Sequence, residues 1–383
     1  MDNLTHSLVG LTSAKAGLEK LSPYATTVCV ISANAADGDF VSLFLGDRWT
    51  LLQYHRGITH SIVGTVAIGV LVATVAFAIE RISSRVRKRT PRIRFGGLLA
   101  ASLIASATHP LMDWTNNYGV RPFLPWNGRW FYGDLVYIVD PYIWLLLGAV
   151  AFLLTSKTRL KIAGWCLLAV CATAVIGIAG RPAIPESAPL RIALVIWIVG
   201  VSTIAIVRAL GAHEKFGAKT AQAALAMLVM YWSVLTFMHH AALAEAHIIA
   251  TNMATARSER VLRVAAMPSA ATFFRWQSVA ETDQAMYRFT VGLGNMNSAA
   301  STGGQVVRYP KPTGQERAIV QLAEQDRRAF ILLGFARFPL AHAEIGNCIG
   351  QTLVQFADLR YTEPGRGRGN FSVNIPVDCP APD

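Results

Sequence analysis

A succession of long apolar runs limits the fold of this chain more than any other feature. The run from Ile62 to Ile79 is typical, and similar runs occupy residues 95–112, 135–155, 162–180, 190–209 and 221–243. A run of about 18 or more apolar residues is long enough to cross a bilayer as a helix. Because only 15% of the 383 residues are charged and 53% are hydrophobic, an ordinary soluble domain is excluded. An integral, multi-pass membrane protein is predicted.

Two shorter apolar segments, 4–18 and 22–36, precede these runs. Lysines and the helix breaker Ser22-Pro23 separate them, which predicts a helical hairpin. The fold class is therefore mainly α, a polytopic bundle of about eight membrane helices of which the first two are short. No cleavable signal peptide is expected, because Asp2 and His6 interrupt the first apolar segment.

The basic residues predict how the helices are oriented. Seven Lys or Arg lie between Arg81 and Arg94, and on this topology the inner loops carry fifteen against six in the outer loops. Positive loops stay in the cytoplasm, so both termini are predicted on the periplasmic side of a bacterial inner membrane. The net charge of +12 is thus explained by topology and anionic lipid headgroups. No nucleic-acid partner is expected.

Near Glu245 the composition changes to that of a globular module. Residues 1–244 are predicted to form a helical membrane domain, and 245–383 an α+β domain facing the periplasm. Its expected strands are 274–282, 286–293, 352–361 and 371–377, with a helix over 315–333. Cys348 and Cys379 fall in this domain, where an oxidising compartment would let them pair, although two unpaired thiols remain the alternative.

The stretch 54–61 reads YHRGITHS and stands directly before a membrane helix. Histidine is the commonest metal ligand, so His55 and His60 predict a metal site at the membrane surface, while an interfacial pair that only forms hydrogen bonds is the alternative. His109 and Asp113 lie one turn apart on one helix face, where they can bind one cation or simply bond to each other.

Seven predicted ligands map to one side of the membrane under a topology that was derived from Lys and Arg alone. They are His6, Asp37, Asp39, His55, His60, His109 and Asp113. A mixed set of more than four ligands fits a divalent metal, zinc by preference and two ions rather than one. The alternative for Asp37-Gly38-Asp39 is a turn that ends the hairpin.

Other residues receive supporting roles in this prediction. One of Asp37, Asp39 or Asp113 would act as general base. Arg56, Arg121 and Arg129 would hold anionic oxygens, or else contact lipid headgroups. Around the ligands, Asp2 is predicted to be a further ligand or to orient His6, and Asp134 to cap the helix that follows it. Asp140 is predicted to pair with a ligand histidine or an arginine, with snorkelling or helix packing as the alternative.

As a set, the motifs resemble the inner-membrane metal-dependent hydrolases of the YdjM type. In order they are MDxxTHxxxG at 1–10, NxxDxD at 34–39, HRGxTHS at 55–61, HPLxD at 109–113 and DxxxIVDP at 134–141. Ala36 departs from the family, which usually has proline there. The His-x-x-x-Asp helix is also distantly similar to the zinc phospholipase C and nuclease superfamily, although the zinc-binding N-terminal tryptophan of that group has no counterpart here. The resemblance implies a metal hydrolase, and its distant part favours phosphoesters.

We therefore predict a membrane hydrolase that uses metal-activated water to cleave an ester, preferably a phosphoester of a lipid or lipid-linked substrate. A transporter or proton relay is one alternative, which would need ionisable residues spread through the membrane. A scaffold is the other, in which a metal staples the membrane part while the outer domain binds a partner. Oligomeric state receives no prediction.

Overall fold

The computed structural model describes residues 1–181, 188–294, 306–343, 350–365, 369 and 371–378. Within this part the chain is mainly helical and divides into two compact units. The first unit comprises Met1–Asp39, Arg56–Phe237 and Pro268–Phe273, and the second comprises Phe40–His55, Met238–Met267 and Phe274–Asp383. Cys348 and Cys379 lie outside the described residues, so their pairing stays a prediction.

The helices up to residue 255 follow the apolar segments of the sequence. They are α1 (Asn3–Lys15), α2 (Ala25–Asn34), α3 (Arg48–Tyr54), α4 (Ile62–Val86), α5 (Phe95–Trp114), α6 (Pro141–Thr155), α7 (Arg159–Ala179), α8 (Ala188–Ala209) and α9 (Ala218–Thr255). The prediction that α6 begins at 135 is wrong. Asp140 is its N-cap and accepts hydrogen bonds from Tyr142 N and Ile143 N, and Pro141 suits the first helical position.

Five of the described helices are long and apolar enough to cross a membrane: α4, α5, α7, α8 and α9. The helix α6 is apolar but has 15 residues, while α1 has 13 and α2 has 10. A span needs about 20 residues, so the predicted count of eight membrane helices is not confirmed, whereas the mainly helical bundle is.

Small residues let α1, α2, α4 and α5 pack closely. A Cβ placed on Gly10 of α1 would lie 2.8 Å from the Cβ of Ala33 on α2. Hydroxyls then link the helices, because Ser32 Oγ lies 2.8 Å from Ser102 Oγ and Ser102 donates to the Gly69 carbonyl. Interhelical contacts of this kind replace the hydrophobic driving force that lipid removes. They fix the ends of these helices relative to each other.

A second core joins α1 to the later helices. Its buried members include Leu8 of α1, Leu147 of α6 and Trp197 of α8. The Trp144 indole of α6 donates to Asp2 and to the Thr5 hydroxyl, so the start of α1 is held against α6. The first unit is thus one packed bundle around its N-terminal helix.

The second unit contains two antiparallel sheets and three short helices. One sheet has the order β1 (Val261–Pro268), β2 (Arg275–Thr282), β3 (Ala285–Gly292), β4 (Val307–Pro310), and the other has β5 (Pro339–Ala343), β6 (Gln351–Asp358), β7 (Ser372–Asp378). In register, Trp276 pairs with Val291, and Phe356 with Val373. The predicted C-terminal sheet domain is confirmed in this coarse form, with β1, β4 and β5 added.

The prediction of one continuous helix over 315–333 is wrong in one respect. The structure forms two helices, α10 (Gly314–Ala323) and α11 (Arg327–Phe335), because Asp326 caps the second through the backbone N–H of Arg328. The short helix α3 packs on α11, where Arg327 contacts Asp47 and the Thr50 hydroxyl. The segment that contains α3 therefore belongs to the second unit.

Candidate metal centre

Helix ends of the first unit converge on one cluster of imidazoles and carboxylates. Asp37 lies in a 3-10 turn directly after α2, and His60 closes the 3-10 turn Ile58–His60 directly before α4. His109 and Asp113 occupy the last turns of α5, and His6 lies near the start of α1. Because the helices alternate in direction, these five positions fall at the same end of the bundle.

Two imidazole nitrogens and two carboxylate oxygens of the cluster approach one another at distances that suit ligands of a metal ion. His60 Nε2 and His109 Nε2 are 3.0 Å apart. Asp37 Oδ1 lies 3.5 Å from each of them, and Asp113 Oδ2 lies 3.3 Å from the first and 3.6 Å from the second. Four ligands at the usual ~2.0–2.1 Å from a tetrahedral Zn²⁺ are about 3.3 Å apart. The described residues thus include groups that can hold a metal ion.

Hydrogen bonds behind the rings point the Nε2 atoms at this space. His109 Nδ1 lies 2.7 Å from the Ala33 carbonyl, and since a carbonyl can only accept, Nδ1 carries the proton and Nε2 presents its lone pair. His60 Nδ1 lies 2.9 Å from the Thr59 hydroxyl and 3.3 Å from Asp39 Oδ2. Partners of this type fix the orientation of metal-binding histidines.

His6 is the least satisfied polar group of the cluster. Its ring stacks on that of His109 with centroids 3.8 Å apart, and the side chain is fully buried. Within the described part of the chain neither ring nitrogen has a hydrogen-bond partner, although Nε2 approaches Asp113 Oδ1 to 3.4 Å. A buried polar atom without a partner costs about 1–3 kcal/mol. A cation shared with Asp37 and His109, which lie within ligand distance, would remove that cost.

Arg56 neutralises part of the charge on Asp113. Its guanidinium donates to Asp113 Oδ1 at 2.9 Å, to Asn116 Oδ1 at 3.0 Å and to the Gly119 carbonyl at 3.1 Å. It also lies 4.5 Å from the centre of the Tyr118 ring and is almost fully buried. The amino group of Met1 is a second donor to Asp113 Oδ1. These bonds tie Arg56 to the protein, whereas the sequence assigned it to substrate.

The electrostatics outside the membrane helices favour a cation. Burial lowers the pKa of His60, but its contacts with Asp113, Asp37 and Asp39 outweigh burial and raise that pKa to about 10. Burial raises the pKa of Asp37, yet its contacts with His109 and His60 hold that pKa far below the usual range. Without a metal, His60 therefore carries a proton at neutral pH, and this proton occupies the space between the ligand atoms.

The structure places Asp39 behind His60 and not among the four facing atoms. Its Oδ2 accepts hydrogen bonds from Arg56 N at 3.1 Å and from the Thr59 hydroxyl at 2.9 Å, and lies nearest to His60 Nδ1. This position suits a residue that orients the imidazole of His60. The roles of ligand and general base that the sequence predicted for Asp39 are not supported by this position.

The other carboxylates predicted around the ligands are found at helix starts and in a loop. Asp2 caps α1 through Thr5 N at 3.0 Å, and Asp140 caps α6 and accepts from the Tyr231 hydroxyl at 2.8 Å. Asp134 is buried in the loop before α6, with φ of 54°, so it does not cap that helix. Their contribution to the centre stays a prediction.

Two arginines and one histidine of the predicted set also contact aromatic side chains. Arg121 is half-buried with its guanidinium 4.5 Å from the Trp130 ring centre, and Arg129 is exposed beside Phe131. His55 is the C-cap of α3 in the second unit, where its ring contacts Phe40. Their roles as substrate contacts and as a seventh ligand stay predictions.

Three features of the site escaped the sequence. The Thr59 hydroxyl contacts both His60 and Asp39, and Asn116 holds Arg56. The position of Thr59 between two histidines was the available signal, and Asn116 stands shortly after the His-x-x-x-Asp motif. The Ala33 carbonyl, which fixes His109, has no signal in sequence because every residue carries the same group.

The fold and the site together define a class: a polytopic helical membrane protein with a buried His/Asp centre at the helix ends and an appended sheet domain. Residues 1–184 match the model of the YdjM inner membrane protein family, so the resemblance seen in the motifs is confirmed for this part of the chain. A relative from Bacillus subtilis (strain 168), "Uncharacterized protein YfhP", is 25% identical over 154 residues, which cover 38% of this chain and 43% of the relative. No solved structure matches the chain.

Proposed function

We propose that the chain is a membrane-bound, metal-dependent hydrolase. It would cleave an ester, preferably a phosphoester of a lipid or lipid-linked substrate. The observation that carries this proposal is the pair of Nε2 atoms of His60 and His109, 3.0 Å apart, which Asp37 Oδ1 and Asp113 Oδ2 each approach to 3.3–3.6 Å. Imidazole nitrogens and carboxylate oxygens are ligands that a divalent ion such as zinc accepts.

Charge and burial support zinc or a similar divalent ion there. Among the described residues, Asp37, Asp39 and Asp113 place three carboxylates at the centre, and Arg56 and the Met1 amino group offset part of this negative charge. The His60 proton offsets the remainder, and a divalent ion would take its place. A Zn²⁺ ion supplies Lewis acidity and lowers the pKa of water to near neutrality. His6 would complete the site or bind a second ion with Asp37 and His109.

Asp37 is the carboxylate best placed to accept a proton from the attacking water. Its side chain is 8% exposed against 1% for Asp113, and the next residue, Gly38, is exposed. Asp113 is committed to Arg56, and Asp39 supports His60 from behind. Arg121 and Arg129, on the loop between α5 and α6, are the proposed contacts for anionic oxygens of the substrate.

The distribution of basic loops supports a periplasmic position for the centre and for the second unit. Seven Lys or Arg lie between Arg81 and Arg94, at the end of α4 opposite to His60, and positive loops stay in the cytoplasm. An alkaline phosphatase fused after Asp383 is expected to be active in a bacterial host. Activity of a cytoplasmic reporter at this position would instead reverse the proposed topology.

Elemental analysis tests the centre directly. Wild-type protein in phosphatidylcholine nanodiscs is expected to retain one to two zinc ions per chain, and His60→Ala or Asp113→Ala to lose them. The matched control is His247→Ala, which removes an exposed histidine of α9 and should leave the metal in place. A wild-type preparation that binds no divalent ion refutes the proposal.

Activity is tested on the same samples with phosphomonoester, phosphodiester and carboxylic ester substrates. Hydrolysis of one class is expected, with loss after chelation and recovery after zinc is returned. Metal that is retained without hydrolysis of any of the three classes would favour the metal-stapled scaffold.

A further inference from the structure

An apolar groove of the first unit ends at the metal centre. Its volume is about 460 Å³, and its walls are the first turns of α4, the last turns of α5 and the loop that follows α5. The lining includes His60 at the centre and, further out, Val66, Ala107 and Leu111. We infer that this groove binds the alkyl chain of the lipid substrate and thereby brings its ester to His60. This inference rests on the proposed function and adds the substrate class and how it is selected.

The outer part of the groove lies where bilayer lipid contacts the protein. It is built on α4 and α5, which are both candidate membrane spans. Ile62 is 58% exposed and Leu111 is 48% exposed, although both are large apolar side chains. On a candidate membrane span, exposed apolar side chains of this size are typical of a surface that faces lipid. A chain can therefore enter the groove sideways from the membrane.

The inner part holds a polar group that lacks a partner. Thr65 is 92% buried, since 8% of its surface is exposed, and among the described residues its hydroxyl has no hydrogen-bond partner, although its carbonyl accepts from Ser106 Oγ. Thr65 belongs to the mainly apolar lining of the groove, and its hydroxyl retains a donor. An ester carbonyl close to the hydrolysed group would satisfy it. A purely apolar ligand would not.

The size of the groove favours a single chain over a protein segment. A cavity of about 150 Å³ accommodates benzene, so a groove of 460 Å³ accepts an extended alkyl segment. A membrane helix is about 10 Å wide and rises 5.4 Å per turn, so this volume would take about one turn of the many that cross a bilayer. The carbonyl of Pro122 accepts from Ile62 N, which fixes the loop wall and keeps the groove narrow.

Photo-crosslinking tests the groove independently of catalysis. The probe is 1-palmitoyl lysophosphatidic acid with a diazirine near the end of its chain, at about 1 mol% in phosphatidylcholine nanodiscs. Adducts are expected to concentrate at residues 62–66, 107–114 and 120–131, and to fall about tenfold in Ala107→Trp. The matched control, Ala78→Trp, changes an exposed alanine of α4 outside the groove and should label like wild type.

Two further measurements keep the outcomes separate. Zinc content of each variant shows that it is folded, and Leu111→Trp blocks the groove at a second position if Ala107→Trp loses its metal. The inference that the groove binds the chain is refuted if metal-loaded wild-type protein is labelled evenly along α7 and α8. Equal labelling of the two groove variants and the control refutes it as well. Metal-free wild-type protein that labels only in the groove overturns the proposed function and leaves the groove intact.

The Thr65 hydroxyl gives a second, chemical test. In competition for labelling of the groove, the acyl form of the probe is expected to be about five times more effective than its alkyl ether analogue, which lacks the carbonyl. The reason is that a typical net hydrogen bond changes binding by about 3- to 10-fold. In Thr65→Val, which keeps the shape of the side chain, the two probes should compete equally. An unchanged preference in Thr65→Val refutes this assignment of the hydroxyl.

Discussion

Replacement of Asp39 by asparagine distinguishes a metal ligand from a residue that orients one. Asp39 accepts two hydrogen bonds, from Arg56 N at 3.1 Å and the Thr59 hydroxyl at 2.9 Å, and lies 3.3 Å from His60 Nδ1. Asn in this position keeps an acceptor oxygen and the shape of the side chain but loses the charge that holds His60. The four facing atoms of the centre stay in place.

The expected cost follows from that geometry. Loss of a partner behind a metal-binding histidine typically weakens metal affinity by about 10- to 100-fold, which corresponds to about 1.4–2.7 kcal/mol. Asp39→Asn should therefore keep its zinc stoichiometry with an affinity reduced within this range. Asp37→Asn removes the negative charge from one of the two facing carboxylates, so a larger loss, visible as reduced stoichiometry, is expected.

The assay is competition between the protein in nanodiscs and a zinc chelator of known affinity, together with elemental analysis. Asp47→Asn is the matched control, because Asp47 also accepts from a backbone N–H and a threonine hydroxyl, both of Thr50, but caps α3 in the second unit. Its zinc affinity should equal that of wild type. If Asp39→Asn loses zinc entirely while Asp37→Asn retains it, the assignment of ligand and orienting residue made from the structure is wrong.

Two further predictions concern His60. Its contacts with Asp113, Asp37 and Asp39 raise its pKa to about 10 against burial, so zinc must displace a proton, and affinity should rise about tenfold per pH unit between about 6.5 and 10. In the metal-free protein, the contacts that raise the pKa of His60 make their full contribution to stability below about pH 6.5, and this contribution is lost as pH rises through 10. Chelator competition and thermal unfolding across this range check both, and an affinity that is constant from pH 7 to 9 contradicts them. Gly64→Ala is expected to destabilise the fold by about 1–3 kcal/mol and weaken zinc binding, because its Cβ would lie 1.8 Å from the Ile58 carbonyl, in the turn that carries His60. Gly96→Ala, with open space around its Cβ, is the control, and equal melting temperatures and zinc affinities of the two variants would show that the turn adapts.

The class of the protein and most of its helices were predictable because they depend on local pattern. An apolar run of membrane length forms a helix whatever its neighbours are, since the bilayer leaves backbone groups no other partner. The segment 95–112 became α5 (Phe95–Trp114) for this reason. The start of α6 was missed because Asp140 and Pro141 form a local cap inside a run that is apolar on both sides.

The sequence by itself determined the residue types of the centre and the helix ends that carry them, since spacing along one element places His109 and Asp113 on one face. Only the tertiary structure decided which atoms meet. It directs Asp37 to the Nε2 side of His60 and Asp39 to the Nδ1 side, buries Arg56 on Asp113, and leaves the Thr65 hydroxyl in an apolar groove. The physical reason is that helix periodicity fixes directions within one element, whereas the contact between side chains of different elements depends on how closely those elements pack.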